Sequence, residues 1–313
     1  MQEGAEEIAG NMRAGKGGMI AKQRSASVRV ASALLAAVLC LIALPASAFA
    51  ATEIADIKTV AQVQTDGALH VVEQRTYLFE EERSALIWPV TSMEADSKLE
   101  VASIRFAHST VQGGIDGEWT SLEPVPFSSE MRDVLAATSG ASGRMRSYEA
   151  AFDDRAAEGS STSPIPEVPG FCMDARDRAL YLFFPPTEGR VVFECDLTVT
   201  DAVRAFDDVA ELYWDYVPAD VHASAMSVSV SVQLPMPEGI EAVAGQNVHA
   251  WGHGAPGTVN VKADGTVMFR APEVHEGQYA QAHVLFPQQW LTNLSIEAMR
   301  AHSGPRLDGA RAE

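Results

Sequence analysis

Positively charged side chains are scarce in this chain. Its 23 Lys and Arg residues stand against 42 Asp and Glu residues, which gives a formal net charge of −19. Binding of nucleic acid depends on clustered Lys and Arg side chains that contact phosphates. A surface of the opposite sign repels both nucleic acid and anionic lipid headgroups. The composition therefore excludes nucleic acid as a partner.

Signatures of catalysis and of membrane spans are also missing from the sequence. No Gly-x-Ser-x-Gly elbow occurs, and no nucleophile and base stand at a recognised spacing. We therefore assign no catalytic residues. The apolar run at 30–44 has about fifteen residues, short of the ~20 that a membrane-spanning helix requires. We expect no membrane segment in the mature chain.

The apolar run instead has the features of a signal peptide. Five basic residues precede it, and small residues at Ala48 and Ala50 follow a proline. A positive segment, an apolar segment and an A-x-A site in this order are typical of an exported chain. We predict that residues 1–50 are removed, so that an extracellular or cell-envelope protein begins near Ala51. The acidic residues ahead of Met19 leave open whether translation starts there or at Met1.

Cysteine is nearly absent, with three residues in the whole chain. Cys40 lies in the predicted signal peptide, so only Cys172 and Cys195 remain in the mature part. Export permits a disulfide between these two, and closing a loop of this length would stabilise the fold by about 3 kcal/mol. The alternative is two separate, partly buried thiols, because the sequence does not fix the distance between them.

Alternation of apolar and polar residues is abundant. Residues 54–64 and 69–79 alternate on either side of an Asp-Gly pair, which is a strong signal for a β-hairpin. Residues 225–234 show the cleanest two-residue period, and a second Asp-Gly pair at 264–265 joins two further strands. Such a pattern predicts an all-β fold. We expect an antiparallel β-sandwich of immunoglobulin-like type, with two packed β subdomains.

Composition divides the mature chain into parts. Residues 51–217 form the first predicted β-rich subdomain, and residues 218–290 form the second. The first is interrupted at 128–170 by a stretch rich in Ser, Ala, Gly, Glu and Pro, which predicts a mobile surface insertion with a short helix at 144–158. Residues 291–313 lose all periodicity and are expected to be an irregular tail.

Three short stretches of the β-rich parts are predicted not to be strands, and a fourth is predicted to be a strand that ends in a glycine-rich loop. The acidic residues 80–82 predict a solvated loop, and the prolines and glycine of 185–189 predict a turn. Residues 202–206 have the spacing of one helical turn. Residues 248–252 are predicted to be a strand, and the glycines of 249–254 predict a loop or sharp turn between it and the next strand at 258–262, because glycine adopts backbone conformations that other residues avoid.

Two stretches carry the candidate binding residues. Residues 207–211 concentrate carboxylates, of which Asp208 and Glu211 are candidates for contact with a ligand. The predicted loop adds an indole, Trp251, and an imidazole, His253. Histidines four residues apart converge on a metal only in a helix, and the glycines disfavour a helix here. We therefore assign no metal ligand and no cofactor.

Several of these stretches resemble one known family. Residues 65–73, 208–214, 249–254 and 284–287 are similar, in the right order, to motifs of a bacterial family of predicted membrane proteins, domain of unknown function 2207. The resemblance covers about 54–290. It implies an extracytoplasmic β-rich domain that normally precedes transmembrane helices, and it supplies no catalytic residues.

Two functions from different classes remain open. The first is a non-enzymatic interaction module of the cell envelope, whose partner is an unknown envelope protein or glycan. The alternative is a secreted carbohydrate-binding protein or hydrolase that uses the loop of Trp251 and His253. Exposure of Trp88, Trp119 or Trp251 beside carboxylates would favour the alternative. The chain ends at Glu313 without the expected transmembrane helices, which predicts either a truncated membrane protein or a secreted relative.

Overall fold

The computed structural model of the protein describes residues 53–90, 97–126, 169–174, 179–221, 223–294 and 304–311. The predicted signal peptide, the predicted helix at 144–158 and all but the last two residues of the predicted insertion lie outside these ranges. Within them the chain forms thirteen β-strands, one 3-10 helix and one short α-helix. No helix in this part of the chain is long and apolar enough to cross a membrane.

The prediction of a nearly all-β chain is confirmed. In chain order the elements are β1 (Glu53–Val63), β2 (Leu69–Pro89), β3 (Leu99–Ser109), β4 (Ile115–Pro124), β5 (Gly170–Asp174), β6 (Ala179–Val199), β7 (Val203–Ala205), β8 (Ala210–Val217), β9 (Val228–Gln233), β10 (His249–Gly254), β11 (Thr258–Val261), β12 (Thr266–Ala271), β13 (Ala280–Phe286), η1 (Gln288–Trp290) and α1 (Leu307–Ala310).

The first hairpin forms as predicted. β1 and β2 pair in antiparallel register, and Val63 lies opposite Leu69 at the turn. The side chain of Asp66 accepts a hydrogen bond from the backbone N–H of Ala68 at 3.0 Å. Gly67 follows with a φ of 86°, a conformation that a residue without Cβ adopts at little cost. The Asp-Gly pair is thus a structural turn signal.

β2 and β6 lie beside each other over 21 residues each. Both strands continue through the stretches 80–82 and 185–189, so the predicted loop and the predicted turn are wrong. The pairing register shifts here, between Phe79 and Arg83 and again just after Arg83. An irregular pairing accommodates the two prolines of β6, because proline has no N–H to donate to a neighbouring strand.

Nine of the described strands form one sheet, in the order β11-β12-β9-β1-β2-β6-β3-β4-β5. The sheet closes on itself locally, because β4 pairs with β3 and β5, and both of these pair with β6. β1 pairs with β9, and β4 with β5, in parallel, so the expectation of purely antiparallel pairing is wrong. β9 follows residue 217, so the two predicted subdomains share this sheet.

The other four described strands form a second sheet, in the order β10-β13-β8-β7. β7 lies within the predicted helical turn at 202–206, so that prediction is wrong. β10 covers most of the strand predicted at 248–252 and continues two residues further, to Gly254. β10 pairs with β13 along its whole length, which overrides the local glycine signal. A division into nine and four strands differs from the four-plus-three or four-plus-five arrangement of immunoglobulin domains.

The two sheets share one hydrophobic core. Trp214 of β8 is 1% exposed, so its indole lies in this core. On the same face of β8, Tyr216 packs against Phe269 of β12, with ring centroids 5.8 Å apart. Burial of one large apolar side chain stabilises a fold by about 1.5–3 kcal/mol. These aromatic side chains join the four-stranded sheet to the nine-stranded sheet.

Cys172 and Cys195 are buried and are not joined to each other. In the strand register Cys172 faces Tyr181, whereas Cys195 faces Glu73 and Ile104. A disulfide joins residues whose Cα atoms are less than about 7 Å apart. The strand register thus places the two cysteines opposite different residues, and the disulfide that export would permit stays a prediction. Burial raises the pKa of the Cys195 thiol, which keeps it protonated.

Candidate binding face

The four-stranded sheet turns one face to the core and the other, here called the outer face, away from it. Successive side chains of a strand point to opposite faces. Leu212 and Trp214 of β8 therefore enter the core, whereas Glu211 and Tyr213 lie on the outer face. In cross-strand rows the outer face comprises His249, Leu285 and Glu211, then Trp251, His283 and Tyr213, then His253, Gln281 and Asp215.

Glu211 is a buried acid at one end of the outer face, with 1% of its surface exposed. Its Oε1 accepts hydrogen bonds from Nε2 of His283 at 2.8 Å and from Nε of Arg306 at 2.9 Å. Nη1 of Arg204 on β7 lies 3.8 Å from Oε2 of the same carboxylate. Side chains from three separate parts of the chain thus surround one negative charge.

The ionised form of Glu211 is favoured despite its burial. Burial acts to raise the pKa, but the hydrogen bonds from His283 and Arg306 and the charge of Arg306 outweigh it. The pKa of Glu211 consequently lies below its ordinary value of 4.5. An ionised carboxylate only accepts hydrogen bonds, so the Nε2 atom of His283 carries the proton and donates it.

Aromatic and imidazole rings surround His283 on the outer face. The ring centroids of Tyr213, Trp251 and His253 lie 4.9, 5.2 and 5.8 Å from that of His283. Nδ1 of His283 and Nε2 of His253 are buried without a hydrogen-bond partner in the described part of the chain. Tyr213 is 39% exposed. The rings therefore form a partly open floor beside the recessed carboxylate.

Residues 304–311, here called the C-terminal segment, lie against the end of the sheet that carries Glu211. Asp208 accepts hydrogen bonds from the backbone N–H groups of Arg306 and Leu307 at 2.9 and 3.1 Å. Asp207 accepts another from the first residue of the segment at 2.9 Å. Part of the tail that was expected to be irregular thus docks onto the sheet.

An apolar contact supports these polar ones. Ala310 forms a small buried cluster with Val209 and Leu285, and Trp251 and Leu307 pack at its border. The indole of Trp251 is half-buried as a result. The C-terminal segment therefore binds through apolar side chains as well as through its arginine and backbone.

A second arginine of the segment reaches the neighbouring strand. Nη2 of Arg311 lies 3.5 Å from Nε2 of His249, and the His249 ring stacks on Trp251 with centroids 6.0 Å apart. Burial and the positive charge of Arg311 hold the pKa of His249 below its ordinary value of 6.5. His249 therefore meets the segment as a neutral ring.

The four candidate residues from the sequence lie at this one site, although nothing in their spacing required it. Glu211, Trp251 and His253 are on the outer face, and Asp208 lies two residues before β8 begins. Sequence reasoning considered His283 only as a metal ligand, a role that it rejected, and gave no binding role to the two arginines beside Glu211. Alternation along β13 predicts a common face for its odd-numbered residues, but it does not reveal which strand lies alongside. No group of three or more His, Cys, Asp or Glu side chains within the described ranges is placed to hold a metal ion.

Fold and site together define an all-β, sandwich-like domain with a polar outer face that one of its own segments partly covers. The chain belongs to the family described as predicted membrane protein (DUF2207) N-terminal domain, which matches residues 53–286. This confirms the resemblance found in the sequence. The matched range contains the whole outer face and ends before the C-terminal segment. No curated protein matches the chain.

Solved structures show only a distant likeness. A candidate protease from Parabacteroides distasonis is 11% identical, with a TM-score of 0.34 over 74% of this chain and 40% of that protein. An M1 zinc metallopeptidase from Deinococcus radiodurans is 8% identical, with a TM-score of 0.36 over 76% of this chain and 43% of the peptidase. The chain thus spans about two fifths of the length of these proteins. At these values the likeness assigns no activity to it.

Proposed function

We propose that the protein is exported after removal of residues 1–50 and acts as a non-enzymatic interaction module of the cell envelope. Its binding surface is the outer face of the four-stranded sheet. The observation that carries this proposal is that the outer face already holds a polypeptide, the C-terminal segment, by ionic, backbone and apolar contacts. The family assignment supports an envelope context, since its members are predicted membrane proteins.

The composition of the outer face supports a role in recognition. A recessed carboxylate, a floor of rings and half-exposed polar side chains lie within three adjacent strands. Interfaces between proteins are enriched in Tyr, Trp and Arg, and their centres are desolvated. Rigid strands also hold such side chains more accurately than loops do. The outer face therefore offers a fixed arrangement of contacts for a partner.

The alternative of a carbohydrate-binding protein or hydrolase receives less support from the tryptophans. Trp88 is 1% exposed, and the Trp119 ring is covered by Arg105 at 4.4 Å. Trp251 is half-buried and stacks on His249. A sugar ring requires an open aromatic face, so the burial of Trp88 and the contacts on Trp119 and Trp251 support the interaction module over the alternative.

Site-specific photo-crosslinking in the producing bacterium tests the proposal. A photoreactive phenylalanine analogue replaces Tyr213, which is 39% exposed on the outer face. The matched control replaces Val60, which is 62% exposed on β1 in the other sheet. We expect a discrete adduct with one envelope component from position 213 and none from position 60.

Two results would contradict the proposal. Position 213 could give no adduct while the protein is folded and exported, or both positions could give the same adducts. Recovery of the intact protein in the cytoplasm alone would remove the envelope context.

A further inference from the structure

We propose that the outer face recognises an arginine-bearing segment of another polypeptide, and that the C-terminal segment is a built-in competitor for that site. The inference rests on the proposed function and names the chemistry of its partner. In the absence of a partner, the C-terminal segment occupies the site through Arg306. A competing chain with a better-placed guanidinium displaces it.

The chemistry of Glu211 selects a guanidinium. Its side chain is fully buried, whereas that of Arg306 remains 22% exposed, so the arginine enters from solvent toward a carboxylate fixed in the domain. Arginine is the residue best suited to such a position, because its planar group is weakly hydrated and always charged. Lysine would bury a strongly hydrated ammonium group at greater cost.

The site keeps its shape when the arginine leaves. His283 from β13 and Arg204 from β7 hold the Glu211 carboxylate independently of the C-terminal segment. Loss of one partner of a buried charge pair is costly when the other charge is left alone. Here the carboxylate retains a hydrogen bond and a nearby positive charge, so exchange of Arg306 for another arginine is feasible.

Recognition of the rest of the segment is largely independent of its sequence. Asp207 and Asp208 bind backbone N–H groups, which every non-proline residue provides. The apolar contacts need only a small and a medium side chain, as Ala310 and Leu307 are. The contact that requires a particular side chain is the one between the guanidinium and Glu211. A partner therefore needs an arginine at the start of a short turn.

The C-terminal segment lies outside the part of the chain that matches the family, because the match ends at residue 286. Side chains of the domain, chiefly Asp207, Asp208 and Glu211, hold the segment to the sheet, and the described part of the segment forms no strand pairing. A tethered ligand acts at an effective concentration in the millimolar range. The C-terminal segment therefore excludes partners that bind weakly, and a partner that binds more tightly displaces it. The strong net negative charge also favours approach of basic partners.

The test uses a synthetic peptide of residues 304–311 as the probe and isothermal titration calorimetry as the readout. The full chain is compared with a released variant in which Arg306→Ala and Arg311→Ala free the site. We expect the peptide to bind the released variant at least tenfold more tightly than the wild type. Adding Glu211→Gln to the released variant should weaken binding at least tenfold.

A matched peptide with glutamine at the position of Arg306 isolates the guanidinium contact and should bind at least tenfold more weakly. Because Glu211→Gln could impair folding, Asp208→Ala in the released variant provides a second probe at an exposed position. Circular dichroism verifies the fold of each variant, and we expect Asp208→Ala to weaken the peptide as well.

Equal binding to the wild type and the released variant would overturn the inference, as would equal binding of the arginine and glutamine peptides. Absence of binding to the released variant at millimolar peptide would also overturn it. If the peptide does not bind but the photoreactive residue at position 213 still gives a discrete adduct, the arginine specificity is contradicted and the proposed interaction module is not. If crosslinking fails as well, both proposals fall.

Discussion

The carboxylate of Glu211 and the guanidinium of Arg306 meet at 2.9 Å, although 95 residues separate them along the chain. The acid lies in β8 and the arginine lies in a segment outside the matched family domain. Their contact ties the C-terminal segment to the outer face. It also makes the stability of the docked segment depend on the charge of one buried side chain.

That dependence predicts an acid-sensitive contribution to stability. The pKa of Glu211 is lower in the folded chain than its ordinary value of 4.5, so the contribution is fully present above pH 4.5 and is lost as pH falls through the folded pKa. We expect Glu211→Gln to lower the free energy of unfolding at pH 7 by about 1–3 kcal/mol. The difference from wild type should shrink below pH 4.5 in urea titrations. The exposed Glu238→Gln serves as the control, and a difference independent of pH would contradict the prediction.

His249 predicts a second pH effect at higher pH. Burial and Arg311 hold its pKa below 6.5, so the folded chain disfavours the imidazolium form. The resulting stability is present above pH 6.5 and is lost as pH falls through the lower folded pKa. Nuclear magnetic resonance titration should show the His249 signals moving at lower pH than those of a free histidine. Arg311→Ala should shift that titration upward; an unchanged titration would disprove the influence of Arg311.

Substitutions of Trp214 test the packing between the two sheets. Its indole is 1% exposed, and Nε1 has no hydrogen-bond partner among the described residues. Trp214→Ala should lower the free energy of unfolding by about 3–5 kcal/mol, because it leaves a large cavity. Trp214→Phe should cost less, since it keeps most of the volume and removes the unpaired N–H. Chemical denaturation measures both variants, and an unchanged midpoint for Trp214→Ala would show that the site is not core.

Glycine at position 254 is required for two reasons. Its φ is +85°, and an added Cβ would overlap the carbonyl oxygen of Tyr279. Gly117 also has a positive φ, but nothing lies near its missing Cβ. Gly117→Ala should therefore cost only the backbone term of about 1–2 kcal/mol. Gly254→Ala should add about 1–3 kcal/mol for overpacking. Equal melting temperatures for the two variants would refute the close contact.

Export remains a prediction with a direct measurement. Protein recovered outside the cytoplasm should have an amino terminus within a few residues of Ala51, as determined by Edman degradation. The reason is the order of basic segment, apolar run and A-x-A site. An intact terminus retained in the membrane would contradict removal of residues 1–50.

Local signals in the sequence predicted the local parts of the fold. The Asp-Gly turns at 66–67 and 264–265 join hairpins that form as expected, because their side chains and glycines determine the turn itself. The sequence did not predict β2 and β6 as continuous strands. Their middle stretches have a local composition that is unfavourable for a strand, and they remain extended because the two strands pair with each other. β10 was predicted only as far as Gly252, and pairing with β13 extends it to Gly254 despite the glycines.

The candidate site was only partly predictable. Carboxylates near 208–211 and rings near 251–253 are visible as local clusters. Their approach to one another depends on β13, which lies between β8 and β10 and places His283 next to Glu211. Strand order in a sheet follows from packing of the whole chain, and period-two alternation carries no information about it. The role of Arg306 was equally hidden, because the tail has no periodicity.

The parallel pairing of β1 with β9 affects how the chain folds. β1 finds its antiparallel neighbour at once through the hairpin, but Ile57 lies opposite Val228, far along the chain. Closing so long a loop is entropically costly, and folds dominated by such contacts form slowly. Until residue 228 has been synthesised, one edge of β1 exposes unpaired N–H and C=O groups to other nascent chains. A chaperone that shields this edge would therefore act on the first third of the protein while the last third is still being made.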